Sequence, residues 1–443
     1  MRKCNKWLWA ALAATMLSAM AGGCAPSPKE ETKAAEENGS EPAATEGSSP
    51  EASGKTGLQG EIEIVTNANE ATYQAINGIF QKFMEENPGV TINYTTQESD
   101  YEQLMKARMA SADLPDMFAT HGWSVARYSE YLRPLNDQPW YDTVQDSFFS
   151  IIENDNKEIF VLPLNIDQGG IFYNKGLLKE LGAEVPATWD EFMAICEMGR
   201  EKGYTGVFVA GKDSRQPANV LDIAATTLLA SCEDKGYTGQ LAGGGFDWNN
   251  WAPVSQLLVD MKDKGYLNVD SVTCDPVDIP ERLAENTTLF LISSTQDLIR
   301  LVKEINPEAE YGMAPIPALN GNYEPVFCGG EREAYGIWKN TEHEDICLAV
   351  LEYLAKPEHV KLVCEASGKL PAIKNVTPDL GTVSDDYKKY ETVAMYPFFD
   401  RVYLPNGMWS TLKTIGSALI AGEMTVEESV KAMETDYNTL RTQ

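Results

Sequence analysis

Residues Leu162–Phe192 read LPLNIDQGGIFYNKGLLKELGAEVPATWDEF, and this stretch decides the fold class. Gly169–Tyr173 is small and apolar, which predicts a buried strand, and a short helix after it stops at Gly182. A turn carrying Pro186 follows. A second helix opens at Thr188, whose hydroxyl can accept the Glu191 amide while the Glu191 carboxylate reaches back. Phe192, Ile195, Cys196 and Gly199 then keep helical spacing. Three polar residues, Asn165, Asp167 and Gln168, stand just ahead of the strand. We expect this cluster where two lobes meet, in a position to hold a solute.

The chain before this stretch repeats one pattern. Glu61–Val65 alternates as a half-buried strand; Tyr73, Ile76, Phe80 and Phe83 mark a helix face that stops at Asn87-Pro88-Gly89. Val90–Tyr94 is a second strand. Tyr101, Leu104, Met105 and Met109 mark a second helix, and Leu114–Ala119 a third strand. Strand and helix in alternation predict an α/β fold with a parallel sheet, whose ligands gather at the carboxyl ends of the strands. Those ends are the loops Thr66–Glu70, Thr95–Asp100 and Thr120–Trp123. After the stretch come a strand at Thr205–Ala210, an apolar helix from Val220 to Cys232 and an amphipathic helix at Trp251–Lys264. Buried strands are expected at Leu289–Ile292 and Tyr311–Pro317. A helix pair broken at Pro357 is next, and a last helix is capped by Thr425 and Glu428.

The N-terminal segment stands outside this pattern. Arg2, Lys3 and Lys6 precede an apolar run, Trp7–Met20, and the small residues Ala21, Gly22 and Gly23 lead to Cys24. That is the form of a secretory signal, 1–23, and the run is short of the about 20 apolar residues of a membrane span. Residues 24–58 hold no aromatic side chain and are rich in Glu, Ser, Ala, Pro and Gly, so they cannot offset chain entropy by burial. As a coil this tether spans roughly 30 Å. The formal charge is −30, with 66 acidic residues against 36 basic ones and no basic cluster. A nucleic-acid partner is therefore excluded. Beyond Cys4 and Cys24, six cysteines are scattered without CxxC spacing, which disfavours a metal site and favours free buried thiols.

Several motifs in series carry a family resemblance. They are NPGV at Asn87–Val90, LPDMF at Leu114–Phe118, LRPLND at Leu132–Asp137 and FYNKGLLKELG with VPATWDEF. They continue with YGMAPIPA, with GGEREAYGIWKNTEHEDICLAVLEYLAKPE followed by LPA at Leu370–Ala372, and with LPNGMW and GEMTVEESV. Together they resemble a family 1 extracellular solute-binding protein, the receptor of a carbohydrate ABC importer related to maltose-binding proteins. The resemblance implies two α/β lobes of the periplasmic-binding-protein kind (type II), linked by a hinge, with a ligand cleft between them. The first lobe would comprise 59–166 and 330–384, and the second 167–329 and 385–443. The start of the chain resembles a lipobox, which implies lipidation of Cys24 and anchoring to the outer face of the bacterial cytoplasmic membrane. The implied partners are a carbohydrate and the importer's permease subunits, with the chain acting as a monomer and needing no cofactor or metal.

Sugar hydroxyls require paired donors and acceptors, and the CH faces of a sugar suit flat aromatic rings. Asp167 is the first candidate contact, since a carboxylate can accept from two adjacent hydroxyls, and it stands where the family places a polar contact at its first crossover. Trp409, after Pro405-Asn406-Gly407, matches a family tryptophan that stacks on sugar. His121 and Trp123 follow the third strand. Glu331 and Arg332 lie behind Gly329-Gly330, Asp213 and Arg215 lie in the loop after Ala210, and Glu70 ends the first loop. Many relatives carry a tryptophan after the strand at Leu289–Ile292; here Gln296 stands about there, exchanging a stacking face for an amide and implying a short or unusual sugar.

Other classes are less well supported. With 66 acidic residues some carboxylate pair is always available, so a secreted glycoside hydrolase gains nothing from that signal. No GxSxG or HExxH occurs, nor a GxxxxGK ahead of Ser or Thr, and there are three histidines: His121, His343 and His359. A receptor for a peptide or polyamine remains as an alternative. The expectation is a non-enzymatic sugar receptor.

Overall fold

The computed structural model describes residues 57–97, 100–120 and 125–442, apart from the side chains of Ser147 and Ser150. The signal segment, the tether, Cys24, His121 and Trp123 lie outside the described residues. Twelve strands are described: β1 Gly60–Thr66, β2 Val90–Thr96, β3 Met117–Ala119, β4 Leu162–Pro163, β5 Asn165–Asn174 and β6 Thr205–Val207, then β7 Thr288–Ser293, β8 Tyr311–Ala314, β9 Phe327–Glu331, β10 Ala334–Ile337, β11 Leu370–Pro371 and β12 Met395–Pro397.

They form two sheets. One has the order β2-β1-β3-β10-β4, with β1 parallel to both β2 and β3 and β10 antiparallel to β3 and β4. The other has the order β12-β9-β5-β7-β6, with β8 and β11 also pairing β5. Each sheet has its own core. Ile62, Ile64, Phe80, Phe118 and Leu351 belong to the first, and Ile171, Phe192, Trp251, Phe290 and Leu412 to the second. This is the two-lobed α/β architecture that the family resemblance implies.

The organising strand is longer than its apolar run. All ten residues of β5 are buried, and Asn165, Asp167 and Gln168 lie inside it rather than ahead of it. Successive segments of β5 meet different partners: Ile166 pairs with Leu370, Asp167 with Gly330, and Phe172 with Leu291 and Met313. Side chains alternate across a strand, so Ile171 and Tyr173 enter one apolar cluster while Phe172 enters another on the opposite face. Gly169 and Gly170 are required by close approach. A Cβ at Gly169 would stand 2.5 Å from Cys328 Sγ, and one at Gly170 2.4 Å from the Ala314 carbonyl.

The chain passes between the sheets at Leu164 and again at Arg332-Glu333, and the two crossings are hydrogen-bonded to each other. Leu164 N–H donates to the Glu333 carbonyl at 2.8 Å, and Arg332 N–H to the Asn165 carbonyl at 3.2 Å. The Asn165 side chain completes the joint, accepting Glu333 N–H at 2.9 Å and donating to Ser367 Oγ at 2.9 Å. Fully buried, it replaces ladder bonds that a crossing strand cannot make.

Local signals hold where they rest on caps. Both capping boxes, Thr188 with Glu191 and Thr425 with Glu428, are present, and Gly182 closes its helix with φ +66°. Three expectations change. Pro357 opens the second helix of its pair, where its missing N–H has no partner to lose. The apolar helix starts at Arg215, within the expected polar loop, and its continuation Thr226–Ala230 is wound as a π-turn. A helix at Asp297–Ile305, which the sequence reading omits, begins after Gln296, whose side chain makes no capping bond.

Candidate functional site

Asp167 comes to the joint between the lobes with its carboxylate engaged. Its Oδ1 receives Lys369 Nζ at 2.8 Å, and Arg401 Nη2 stands 3.8 Å from Oδ2. Burial opposes its charge, yet Lys369, Arg332 and Arg401 together hold its carboxyl below the ordinary value. Lys369 Nζ also donates to Gln296 Oε1 at 2.8 Å and to the Ser294 carbonyl at 3.3 Å. Gln296 Nε2 in turn donates to the Gln168 carbonyl. Two residues expected at the sugar, Asp167 and Gln296, are thus clamped by one lysine that follows the helix Pro357–Ser367.

Glu331 ends β9 and is buried, and burial pushes its carboxyl up to about 7 against the lowering effect of Arg401. Arg401 donates to the Glu331 carbonyl at 3.3 Å and covers the Phe398 ring at 4.4 Å. Arg332 has its Nε 3.6 Å from Glu333 Oε1.

Asp213 and Arg215 form a local pair at the start of the helix Arg215–Ala225. Arg215 Nε donates to Asp213 Oδ2 at 2.7 Å, with the arginine side chain 60% exposed. The Asp213 hydrogen bond is the main cause that raises the Arg215 guanidinium, and Glu102, on the helix Tyr101–Ser111 beyond β2, adds a smaller effect. Glu70 is exposed at the first position of its helix and accepts Gln74 Nε2 at 2.9 Å. Trp409 is half-buried near the start of the helix Met408–Ala421 and packs against the second core. His121 and Trp123 fall in the undescribed segment after β3.

A second polar group faces across the cleft, and sequence reasoning missed it. Arg127 follows β3 on the first lobe; Asp400 lies in the short helix Phe399–Tyr403 beside β12 on the second. Arg127 Nη2 stands 3.8 Å from Asp400 Oδ2 with both side chains largely shielded. Asp400 N–H donates to Asp222 Oδ1 at 2.7 Å, so a second buried carboxyl lies behind the first. Burial is the main cause that raises Asp400 to about 6 and Asp222 to about 7. Arg127 and Arg401 pull Asp400 back, and Glu102 adds to its rise.

Among the described residues, Asp400 Oδ1 and Arg127 Nη2 of this pair have no hydrogen-bond partner, and neither do the buried Tyr128 OH, Thr120 Oγ1, Gln168 Oε1 and Gln216 Nε2. Leaving such an atom unsatisfied costs about 1–3 kcal/mol. The cost is relieved by a molecule with several adjacent hydroxyls. A carboxylate oxygen accepts from one hydroxyl, and a guanidinium nitrogen donates to its neighbour. One faint signal was available, since Arg127 and Tyr128 follow directly on the third carboxyl-end loop. Asp400 and Asp222 gave none, because their proximity depends on how the helix Arg215–Ala225 packs against the helix Phe399–Tyr403.

The comparisons bear on the family and the fold. The family described as bacterial extracellular solute-binding protein matches residues 67–361. The melibiose/raffinose/stachyose-binding protein MelE of Bacillus subtilis (strain 168) is 31% identical over 381 residues, 85% of this chain and 88% of that protein. Among solved structures, the binding protein MsmE of Bacillus subtilis, in an open conformation, superposes with a TM-score of 0.82 at 29% identity, over 87% of this chain and 98% of that one. A sugar transporter protein from Bacillus licheniformis, solved in complex with stachyose, has a TM-score of 0.79 and 32% identity, over 86% of this chain and 100% of that one.

Proposed function

Since this chain belongs to the bacterial extracellular solute-binding protein family, we propose that it is the oligosaccharide receptor of an ABC importer and takes a short galactosyl oligosaccharide of the melibiose, raffinose and stachyose type. The choice of sugar is supported by the names and bound ligand of relatives at 31% and 32% identity. The observation that carries the site is the pair Arg127 and Asp400, which face each other across the cleft and keep unpartnered atoms there. In this reading Asp400 accepts from one sugar hydroxyl and Arg127 donates to its neighbour. Tyr128, Gln216 and Arg215 line the approach, and Trp409, His121 and Trp123 supply further contacts. Asp167, Gln296 and Lys369 set the angle of the hinge and meet the sugar only at the floor of the cleft. Closing on a sugar satisfies donors and acceptors from both lobes at once, so the solute stabilises the closed form.

The lobes are taken as 59–166 with 330–384, and 167–329 with 385–443. Cys24 carries the lipid, residues up to 58 tether the receptor to the membrane, and the closed form hands the sugar to permease subunits. The family is one of solute receptors, and we assign the cleft no catalytic step.

Isothermal titration of the full chain with melibiose, raffinose, stachyose, maltose, a tripeptide and spermidine tests this. Binding of one or more of the three galactosides, with the sugar recovered intact, is the expected result. Binding of the peptide or polyamine alone would overturn the sugar assignment, and consumption of the sugar would overturn the receptor assignment.

A further inference from the structure

Residues 404–407, Leu-Pro-Asn-Gly, join the short helix that carries Asp400 to the helix that carries Trp409. Asn406 is exposed, and among the described residues its side chain makes no hydrogen bond. Gly407 has no side chain to shield its nitrogen, and among the described residues its N–H meets no acceptor. Met408 N–H closes the turn on the Pro405 carbonyl at 3.3 Å, and Gly407 takes φ +104°, which glycine adopts at no steric cost.

We propose that Asn406 is a site of spontaneous modification, in which the Gly407 nitrogen closes on the Asn406 side chain and the residue becomes aspartate or isoaspartate. The Gly407 amide gives its proton to water and its nitrogen attacks Asn406 Cγ. A C–N bond forms there, the bond from Cγ to the side-chain nitrogen breaks, and that nitrogen takes up a proton and leaves as ammonia. Water then opens the five-membered imide at either carbonyl. One water is consumed and one ammonia is released, so the step needs no oxidant, cofactor or second protein.

Two other Asn-Gly pairs among the described residues lack these features. Asn77-Gly78 lies inside the helix Glu70–Glu86, where the Gly78 N–H belongs to the helical ladder and the backbone is fixed. Asn320-Gly321 lies in a turn, but Asn320 Oδ1 is held by Asn322 N–H at 3.0 Å. Glu233, Asp234 and Glu324 line the same groove as Asn322, and their charge opposes an amide anion nearby. Gly407 instead directly precedes the helix Met408–Ala421, whose first turn has no acidic side chain, and the positive end of the helix favours the anion.

The effect on binding rests on the sugar-receptor reading. Isoaspartate carries the main chain through the side-chain carbon and so lengthens the turn between Asp400 and Trp409 by one methylene. Aspartate adds a charge but keeps the length. Isoaspartate is therefore the product that displaces the two sugar contacts from each other.

The full chain is aged in mildly alkaline buffer made with oxygen-18 water and then digested. Mass spectrometry with electron-transfer fragmentation separates aspartate from isoaspartate. Label is expected at Asn406 in both products, ahead of Asn320, with Asn77 unchanged. No label at Asn406, or label first at Asn320 or Asn77, would overturn the proposal. Asn406→Gln would have to close a six-membered imide and should keep its amide through the same ageing; label at that position would overturn the route. In titration with stachyose, the isoaspartyl fraction, separated chromatographically, should bind about two- to tenfold more weakly, the worth of one neutral hydrogen bond. Asn406→Asp should bind as the parent does. Equal Kd for the isoaspartyl and parent chains would overturn the effect on binding. If the parent binds none of the sugars, the sugar assignment fails, and the isotope label still decides the modification.

Discussion

Lys369 Nζ lies 2.8 Å from Asp167 Oδ1, and both side chains are almost fully removed from water. Lys369 comes from the end of a first-lobe helix, and Asp167 from the strand that crosses to the second sheet. The same ammonium holds Gln296 and the Ser294 carbonyl. The residue that sequence reasoning ranks first for solute therefore has a structural partner.

Lys369→Met removes one partner of a buried pair and leaves Asp167 charged, so it is expected to cost about 3–5 kcal/mol in urea unfolding. The double variant Lys369→Met with Asp167→Asn is expected to cost less than the sum of the single changes by about 0.5 kcal/mol or more. Strict additivity would show that the two residues do not act as a pair.

Asp400→Ala is expected to weaken sugar binding by about 10- to 150-fold, because a hydrogen bond to a charged group contributes about 1.5–3 kcal/mol. Arg127→Ala should act in the same direction. Both are read by isothermal titration, with circular dichroism confirming the fold; binding within a factor of about two of the unaltered chain would remove this pair from the site.

Sugar binding should weaken in acid. A hydroxyl donates to ionised Asp400, whose carboxyl lies at about 6 in the free chain. Binding then releases a proton, and affinity falls about tenfold between pH 7 and pH 5. Titration in two buffers of different ionisation enthalpy measures that proton; an affinity flat over this range would exclude Asp400 as acceptor.

Asp222 gives a stability test with a definite sign. Its carboxyl is raised to about 7 by burial and then by Asp400, whereas the unfolded value is about 3.9. The native chain therefore holds this proton more tightly than the unfolded chain. Its contribution is fully present below about pH 4 and is lost as pH rises through about 7, at about 1.4 kcal/mol per unit of difference. Asp222→Asn keeps an acceptor for Asp400 N–H and removes the titration. It should gain stability relative to the parent between pH 4.5 and pH 8 in urea unfolding. An equal difference at both pH values would contradict the assignment.

Cysteine chemistry provides a check on packing. Cys196, Cys232, Cys274, Cys328, Cys347 and Cys364 are free and buried, and burial pushes their thiols up, away from the reactive thiolate. None of the six should take up maleimide in the native chain, and all should do so in denaturant, as peptide mass spectrometry would show. Native labelling of Cys196 or Cys328 would mean that a core is open.

What the sequence determined by itself is local. Capping boxes, a left-handed glycine at a helix end, period-two and period-3.6 spacing and the order of strands and helices depend on residues a few positions apart, and these placed β5, its flanking helices and the α/β class. Asp213 and Arg215, read from sequence as solute contacts, pair with each other in the structure although they stand only two residues apart. The tertiary structure alone decided which polar residues are free. Asp167 and Lys369 are 202 residues apart, and Asp222 and Asp400 are 178 apart. No periodicity records such a meeting. A carboxylate looks the same in sequence whether a lysine neutralises it at 2.8 Å or a guanidinium stands 3.8 Å away. That difference arises only when two sheets pack side by side and exclude water from the groups between them.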